Sequence, residues 1–406
     1  MQRIVITGVG VVTPFGTDTG AFARALLDGR SAVAPLTQFP VDGCSARCAA
    51  SVKDFDPSRW ISPLKARRMD MTSQYAIAAA CQALDAAGIQ YGEQPQDLTG
   101  VSIGTYTGGG SRTEEFLEGL FRLGPIGAPA LLFNATVANV AASLIGLELK
   151  CRGPNITISQ KEVSGLTAAA QAIELLRGGK ARVVITAGVD ALYPLFFRVH
   201  DHFGVLSHEN GHPEGSRPFD ATRNGFVLGE GAYASILEPE EAARGRGATI
   251  LAELLAVECG GARAGVNQWP TDPADIARVM RRAINAAGLD LSAIDVVYAS
   301  ANSSAGLDRV EAAAIGDLFG AHRVLVTAVK GALGEGSATG TASLVAAVLC
   351  GRREMIPPIA GLGQIDSACA CLNLATSAVR APGRVALVNG VASGGALVAA
   401  VVRIAD

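Results

Sequence analysis

Two distant stretches of this chain read almost alike, and that repetition constrains the fold more than any other feature. Cys81-Gln82-Ala83-Leu84-Asp85-Ala86-Ala87-Gly88-Ile89 is echoed by Arg281-Arg282-Ala283-Ile284-Asn285-Ala286-Ala287-Gly288-Leu289. Each reads as the end of a helix closed by a glycine at the left-handed cap position. Each then leads into an apolar strand, Val101-Ser102-Ile103 in the first case and Val296-Val297-Tyr298 in the second. Each also closes later on a further apolar strand and glycine turn, Val183-Val184-Ile185-Thr186-Ala187-Gly188 and Val385-Ala386-Leu387-Val388-Asn389-Gly390. Strand-like and helical runs alternating with repeated punctuation predict a duplicated α/β architecture. We expect the halves at residues 1–250 and 251–406, with the charged, glycine-bearing segment Glu241 to Gly247 as a linker.

Composition narrows what those halves do. Hydrophobic residues make up 49% of the 406, enough to offset chain entropy, so disorder is excluded as the main state. Charged residues are only 17%, against about 25% in ordinary soluble domains; a large core, a subunit interface or both must cover much of the surface. The 34 basic and 37 acidic residues leave a net charge of -3, with no surplus for gripping nucleic acid or an anionic membrane.

Two apolar runs imitate membrane signals. Ile4 to Val12, with Ala21-Phe22-Ala23 beyond, loosely resembles a leader and cleavage site. It is β-branched, interrupted by glycine and followed by Pro14, so it reads as a buried strand. Residues 385–402 carry no charge, but Asn389-Gly390 and Gly394-Gly395 divide them into two short strands around a turn. The chain reads as soluble. Its eight cysteines form no CxxC pair and no zinc spacing with histidine, which suggests free thiols in a reducing cytoplasm and no metal. Gly8-Val9-Gly10 lacks the third glycine of a dinucleotide fingerprint, and no phosphate-binding loop is present. No cofactor is expected. In Lys330-Gly331-Ala332-Leu333-Gly334-Glu335-Gly336, small residues are read as permitting close backbone approach beside a pocket.

Ser216-Arg217-Pro218-Phe219-Asp220, followed by Arg223-Asn224-Gly225-Phe226-Val227-Leu228-Gly229-Glu230-Gly231-Ala232, resembles the central signature of the β-ketoacyl-acyl-carrier-protein synthases. These enzymes condense acyl chains in fatty-acid and polyketide synthesis. Arg3 to Gly8 resembles their opening strand, and Gly153-Pro154-Asn155 the approach to their nucleophile turn. Asp308, Glu311 and Lys330 fall where the family's C-terminal half has equivalents. The resemblance runs essentially end to end. It implies the thiolase-like five-layered αβαβα fold made of two similar halves, in agreement with the repetition.

The family's chemistry uses a cysteine at a helix N-terminus, which takes the acyl chain as a thioester, and two histidines that assist decarboxylation and stabilise the enolate. Here the resemblance places Glu162 at the nucleophile position, Ser300 at the first histidine and Glu335 at the second. Lys330 is retained. The glycine-rich C-terminal turn, where catalytic members carry a gating Phe, reads Ala392-Ser393-Gly394-Gly395. A carboxylate cannot store a thioester, and Ser300 offers no proton-transfer group near neutral pH. Condensation by this chain alone is not expected.

The resemblance therefore points to a chain-length factor, the inactive paralogue that pairs with a catalytic ketosynthase in type II polyketide synthases. Its partners would be that ketosynthase and an acyl carrier protein. In the family, the stretch after the first-half glycine turn crosses to the partner and helps close its acyl tunnel. Here that stretch carries Phe116, Leu117, Leu120 and Phe121 on one helical face. Those residues are candidates for the tunnel floor, or for this subunit's own core. Two other readings stand beside this one: altered acid–base chemistry through Glu162 and Glu335, and a homodimeric scaffold. His200, His202, His208 and His212 are read as part of a polar surface loop, and Lys65, Arg67 and Arg68 as a basic face for an acidic carrier or simply a solvated one.

Overall fold

A computed structural model describes residues 2–94, 96–320, 324–380 and 384–405, apart from the side chain of Ser337. The chain runs from β1 (Ile4–Val12) through α1 (Met71–Ala87), β2 (Thr99–Gly104), α2 (Gly110–Leu123), α3 (Val140–Glu148) and β3 (Asn155–Ile158). It continues with α4 (Ser164–Arg177), β4 (Val183–Asp190), α5 (Pro194–His202), β5 (Gly231–Pro239) and the short α6 (Glu240–Gly245). A second series follows: β6 (Ala252–Gly261), α7 (Pro273–Ala286), β7 (Val296–Tyr298), α8 (Ala305–Phe319) and β8 (Leu325–Thr327). It ends with α9 (Ser337–Gly351), β9 (Asn373–Leu374), β10 (Val385–Val391) and β11 (Ala396–Ile404).

Among the described residues, eleven of these strands join in the order β9-β8-β7-β10-β11-β6-β1-β5-β4-β2-β3. The order contains one motif twice. β3-β2-β4 is parallel and β4-β5-β1 antiparallel; β8-β7-β10 is parallel and β10-β11-β6 antiparallel. The two blocks meet where β1 pairs with β6, at Val5–Glu253 and Ile6–Ala252. α4 and α9 pack on each other and on strands of both blocks, so they form a central layer. α1 with α3 covers one outer face and α7 with α8 the other. This is the thiolase-like fold in its five layers. The uncharged sequence Ser337 to Gly351 suits a helix enclosed on all sides.

Local signals explain the elements. Asp70 caps α1 by accepting the Ser73 N–H at 3.1 Å, and Gly88 ends it with φ 67°. Asp272 caps α7 through the Ala274 N–H, and Gly288 has φ 69°. Glu240 to Gly245 is helical, so the expected linker is a short helix. Acidic Glu240 and Glu241 in its first turn favour the helix through its dipole. Asn389-Gly390 also departs from expectation: it lies inside β10, and the reversal is made by residues 392–395. All eight cysteines are unbridged. No helix among the described residues is long and apolar enough to cross a membrane.

Gly8 and Gly10 in β1 are required by the packing of α1 against the strand. A Cβ at Gly8 would lie 2.0 Å from the Ala83 carbonyl oxygen, and one at Gly10 would lie 2.1 Å from that of Ala79. The glycines let α1 rest its backbone directly on β1. Gly8→Ala and Gly10→Ala should therefore each destabilise the protein by about 1–3 kcal/mol, read as a lower midpoint in urea unfolding. Gly245→Ala, with open space around it, should leave that midpoint unchanged or raise it slightly.

Candidate functional site

The turn that carries Glu162 lies between β3 and α4. Lys161 takes a left-handed conformation, φ 52°, and starts a single 3-10 turn over Lys161–Val163. The Ser164 hydroxyl braces that turn, accepting the Gln160 N–H at 2.8 Å and donating to the Lys161 carbonyl at 2.6 Å. Gly104, at the end of β2, makes room for it: a Cβ there would sit 2.2 Å from the Ser164 carbonyl carbon. The result is that Glu162 is buried beside the N-terminus of α4. Its carboxylate accepts the Ser393 N–H at 3.1 Å and the Ser393 hydroxyl at 2.9 Å. Burial, and next the negative charge of Glu335, push the Glu162 carboxyl up from 4.5 to about 7. The bonds from Ser393 and the Lys330 charge pull the other way without prevailing.

The opposite wall comes from the second block. Lys330 is buried and donates to Glu335 at 2.8 Å and to the Ser300 hydroxyl at 3.2 Å. Glu335 also accepts from Asn302 at 2.6 Å and from the Gly336 N–H at 2.9 Å. The Ser300 hydroxyl accepts the Val391 N–H at 3.0 Å, and the Ser300 N–H donates to Glu311 at 2.7 Å. Asn389 donates to the same Glu311 oxygen at 2.5 Å, and burial raises that carboxyl to about 7. Asp308 accepts the N–H groups of Phe219 and Asn302 and pairs with Arg223 at 3.4 Å, tying the 216–232 signature to α8. Burial lifts Asp308 to about 6. The structure thus brings Glu162, Ser300, Lys330 and Glu335 together. It offers carboxyls and hydroxyls already engaged with neighbours, and no thiol or imidazole at those three positions.

A cavity of about 220 Å³ opens beside Glu162, lined by Tyr106, His200, Phe203, Asn267, Trp269 and Ser393 among others. His200 is a correction. It belongs to helix α5, half-buried, and its Nδ1–H donates to the Phe196 carbonyl oxygen at 2.8 Å. Burial lowers its pKa. His202 ends the same helix, while His208 and His212 lie in the loop as expected. Phe196 and His200, one helical turn apart, were the available sign that this stretch had an inward face. Lys161 reaches Asn267 at 2.5 Å and the Ser393 hydroxyl at 3.2 Å, so it closes over the turn. Sequence reasoning missed Tyr106, Asn267, Trp269 and Asn302, which come from loops far apart in the chain.

Comparison with known proteins decides the family. The profile of the "Beta-ketoacyl synthase, N-terminal domain" matches residues 1–243, and that of the "Beta-ketoacyl synthase, C-terminal domain" matches 251–363. The chain belongs to the β-ketoacyl synthase family. It is 31% identical over 373 residues to a 3-oxoacyl-[acyl-carrier-protein] synthase 2 of Coxiella burnetii, covering 91% of this chain and 90% of that one. It superposes with TM-score 0.92 and 30% identity on a chain of the ishigamide ketosynthase/chain length factor, with 100% of both chains covered. A type II polyketide synthase ketosynthase, solved in complex with its acyl-carrier protein and bound to the hexaketide, matches with TM-score 0.90 and 25% identity over 100% of both chains.

Within this β-ketoacyl synthase, α2 stands apart from the core. None of its residues is buried. Phe116, Leu117 and Leu120 are half-buried, with Phe116 against Phe133 at 6.1 Å between ring centroids, and Phe121 is 80% exposed. Leu123, Ile126 and Leu131 extend the exposed apolar surface. None of Phe116, Leu117, Leu120 and Phe121 is among the buried core residues.

The raised Glu162 carboxyl carries a pH signature. A carboxyl whose folded pKa exceeds its unfolded value adds stability that is complete below about 4.5 and lost as pH rises through about 7. Glu162→Gln keeps the hydrogen-bonding shape without the charge. The variant should match the native protein near pH 5 and exceed it at pH 8 by up to about 3 kcal/mol, measured as the gap between thermal midpoints across that range.

Proposed function

We propose that this chain is a chain-length-factor subunit: a non-catalytic β-ketoacyl synthase that pairs with a cysteine- and histidine-bearing paralogue in the cytoplasm. In that pair it shapes the partner's acyl tunnel during type II polyketide, or related polyene or fatty-acyl, biosynthesis. The observation that carries this reading is Glu162 in the nucleophile turn, sealed by Ser393, with Lys330 committed to Glu335. The likeness to a chain of a ketosynthase/chain length factor supports it. So do two surface features. The α2 region exposes a continuous apolar face, and β3 is an edge strand, paired with β2 on one side only. Both suit a large subunit interface. Arg67 and Arg68 are exposed beside Leu64 and could meet an acidic carrier protein, whereas Lys65 is paired with Glu148 at 2.6 Å.

One observation favours a second reading, acid–base chemistry by Glu162 and Glu335: the near-neutral Glu162 carboxyl borders a cavity. Against it, Glu335 is held by Lys330, Asn302 and Gly336, so the pair is not free to exchange protons with a substrate.

Two outcomes follow. Glu162→Cys alone will not condense acyl chains, because Ser300 and Glu335 still supply no imidazole; ketoacyl product from the isolated variant refutes this. Phe116→Ala, co-expressed with the ketosynthase partner, lengthens the products, since each CH₂ buried in the vacated space contributes about 0.8 kcal/mol. Size-exclusion must first show an intact pair. An unchanged product distribution from that pair removes Phe116 from the tunnel. Gly119 is unsuited to a blocking substitution, because a Cβ there would lie 2.3 Å from the Gly127 carbonyl oxygen.

A further inference from the structure

We infer that Asp190 is a positioning residue that sets where α2 stands against the core and, resting on the chain-length reading above, thereby sets the chain length the paired subunits accept. A helix with no buried residue draws little hold from core packing, so its position depends on how its ends are fixed. The N-terminal end of α2 is held by Arg112 donating to the Met69 carbonyl at 3.2 Å, by Thr113 donating to the Thr136 carbonyl at 3.1 Å, and, through the turn before it, by a carboxylate. Asp190, the last residue of β4, is buried, and its Oδ1 accepts the N–H groups of Tyr106 at 2.8 Å and Thr107 at 2.9 Å. The same oxygen accepts the hydroxyls of Thr107 at 3.1 Å and Thr105 at 3.2 Å. Those residues form the turn that launches α2 at Gly110.

The turn is closed from within as well. The Thr105 hydroxyl accepts the Gly108 N–H at 2.8 Å, and the Gly110 N–H donates to the Thr107 carbonyl at 2.9 Å. Its surroundings leave no slack. A Cβ on Gly109 would lie 2.1 Å from the Ala135 carbonyl oxygen, and one on Gly110 would lie 2.2 Å from the Tyr193 hydroxyl. The other oxygen of Asp190 accepts the Ala338 N–H at 3.2 Å, in the first turn of α9. Two residues earlier in the approach to α9, the Gly336 N–H holds Glu335. One buried anion therefore links the loop of the former second histidine to the helix carrying Phe116. Bonds from neutral donors to an ionised acceptor are strong, and removing a buried acceptor strands every donor it served.

The test uses the full chain co-expressed with its ketosynthase partner and reads two quantities: amide hydrogen exchange over residues 105–123, and product length. Asp190→Ala should raise exchange in that segment by about tenfold or more, leave the core strands protected, and broaden the product distribution. Asp190→Asn keeps an accepting oxygen for the turn and should restore most of the protection. Thr107→Val, a milder change, should give an intermediate result and carries the same test if Asp190→Ala does not fold. Unchanged exchange over 105–123 overturns the positioning role. Raised exchange with unchanged products, in a pair where Phe116→Ala does alter products, overturns the link to chain length. If Phe116→Ala also leaves products unchanged, Phe116 lies outside the tunnel and the link from Asp190 to chain length falls with it, while the exchange result still decides the positioning role.

Discussion

The ion pair between Lys330 and Glu335, 2.8 Å apart and buried on both sides, is the interaction on which the rest of the site depends. A buried ammonium needs an anion and hydrogen-bond acceptors, and it finds them in Glu335 and the Ser300 hydroxyl. That commitment leaves Glu162 to be held by a serine beside a helix terminus, where burial first and the Glu335 charge second raise its proton affinity. Three substitutions at positions remote in sequence thus form one electrostatic arrangement. Lys330 ties Ser300 and Glu335 into one hydrogen-bonded group, and Glu162 meets that group through charge alone.

The fold delivers this arrangement by duplication. Each block sends a central helix, α4 or α9, into the middle layer, and the loops preceding those helices carry Glu162 and Glu335. Asn389 lies in β10 and Ser393 just after it, where Ser393 meets the Glu162 turn of the first block. The core makes the separation between site and surface sharp: α9 is buried from Ala338 to Val348, whereas no residue of α2 is buried. Low charge in the sequence accords with an enclosed middle layer and with the exposed apolar side chains in and after α2.

Much of this was legible in the sequence. The matched segments at 81–89 and 281–289 and the two closing strands announced the duplication because helix caps and β-branched runs are local signals. The resemblance singled out Glu162, counted from Gly153-Pro154, Glu335, counted from Lys330 and Gly334, and Ser300 within Ala299 to Ser304. In the structure Lys330 bonds both Ser300 and Glu335, and Glu162 lies near enough to feel the charges of Lys330 and Glu335. His200 was misplaced because neighbouring Asn210, Gly211 and Pro213 gave its segment the look of a loop, while burial is decided by Phe226, Tyr106 and Phe196 packing around it. Glu241 to Gly247 was read as linker since charge and glycine masked a six-residue helix. Asp190 could not be singled out at all: an Asp at a strand end has no local mark, and its partners come from residues 105–107 and 338.

The central claim is that the fold has kept its shape while its nucleophile position has become a structural carboxyl. Intact-protein mass spectrometry of the co-purified pair, after exposure to an acylated carrier protein, tests it most directly. The account predicts an acyl adduct on the cysteine-bearing partner and none on this chain. An adduct on this chain, or carrier-dependent turnover by this chain with no partner present, would contradict it.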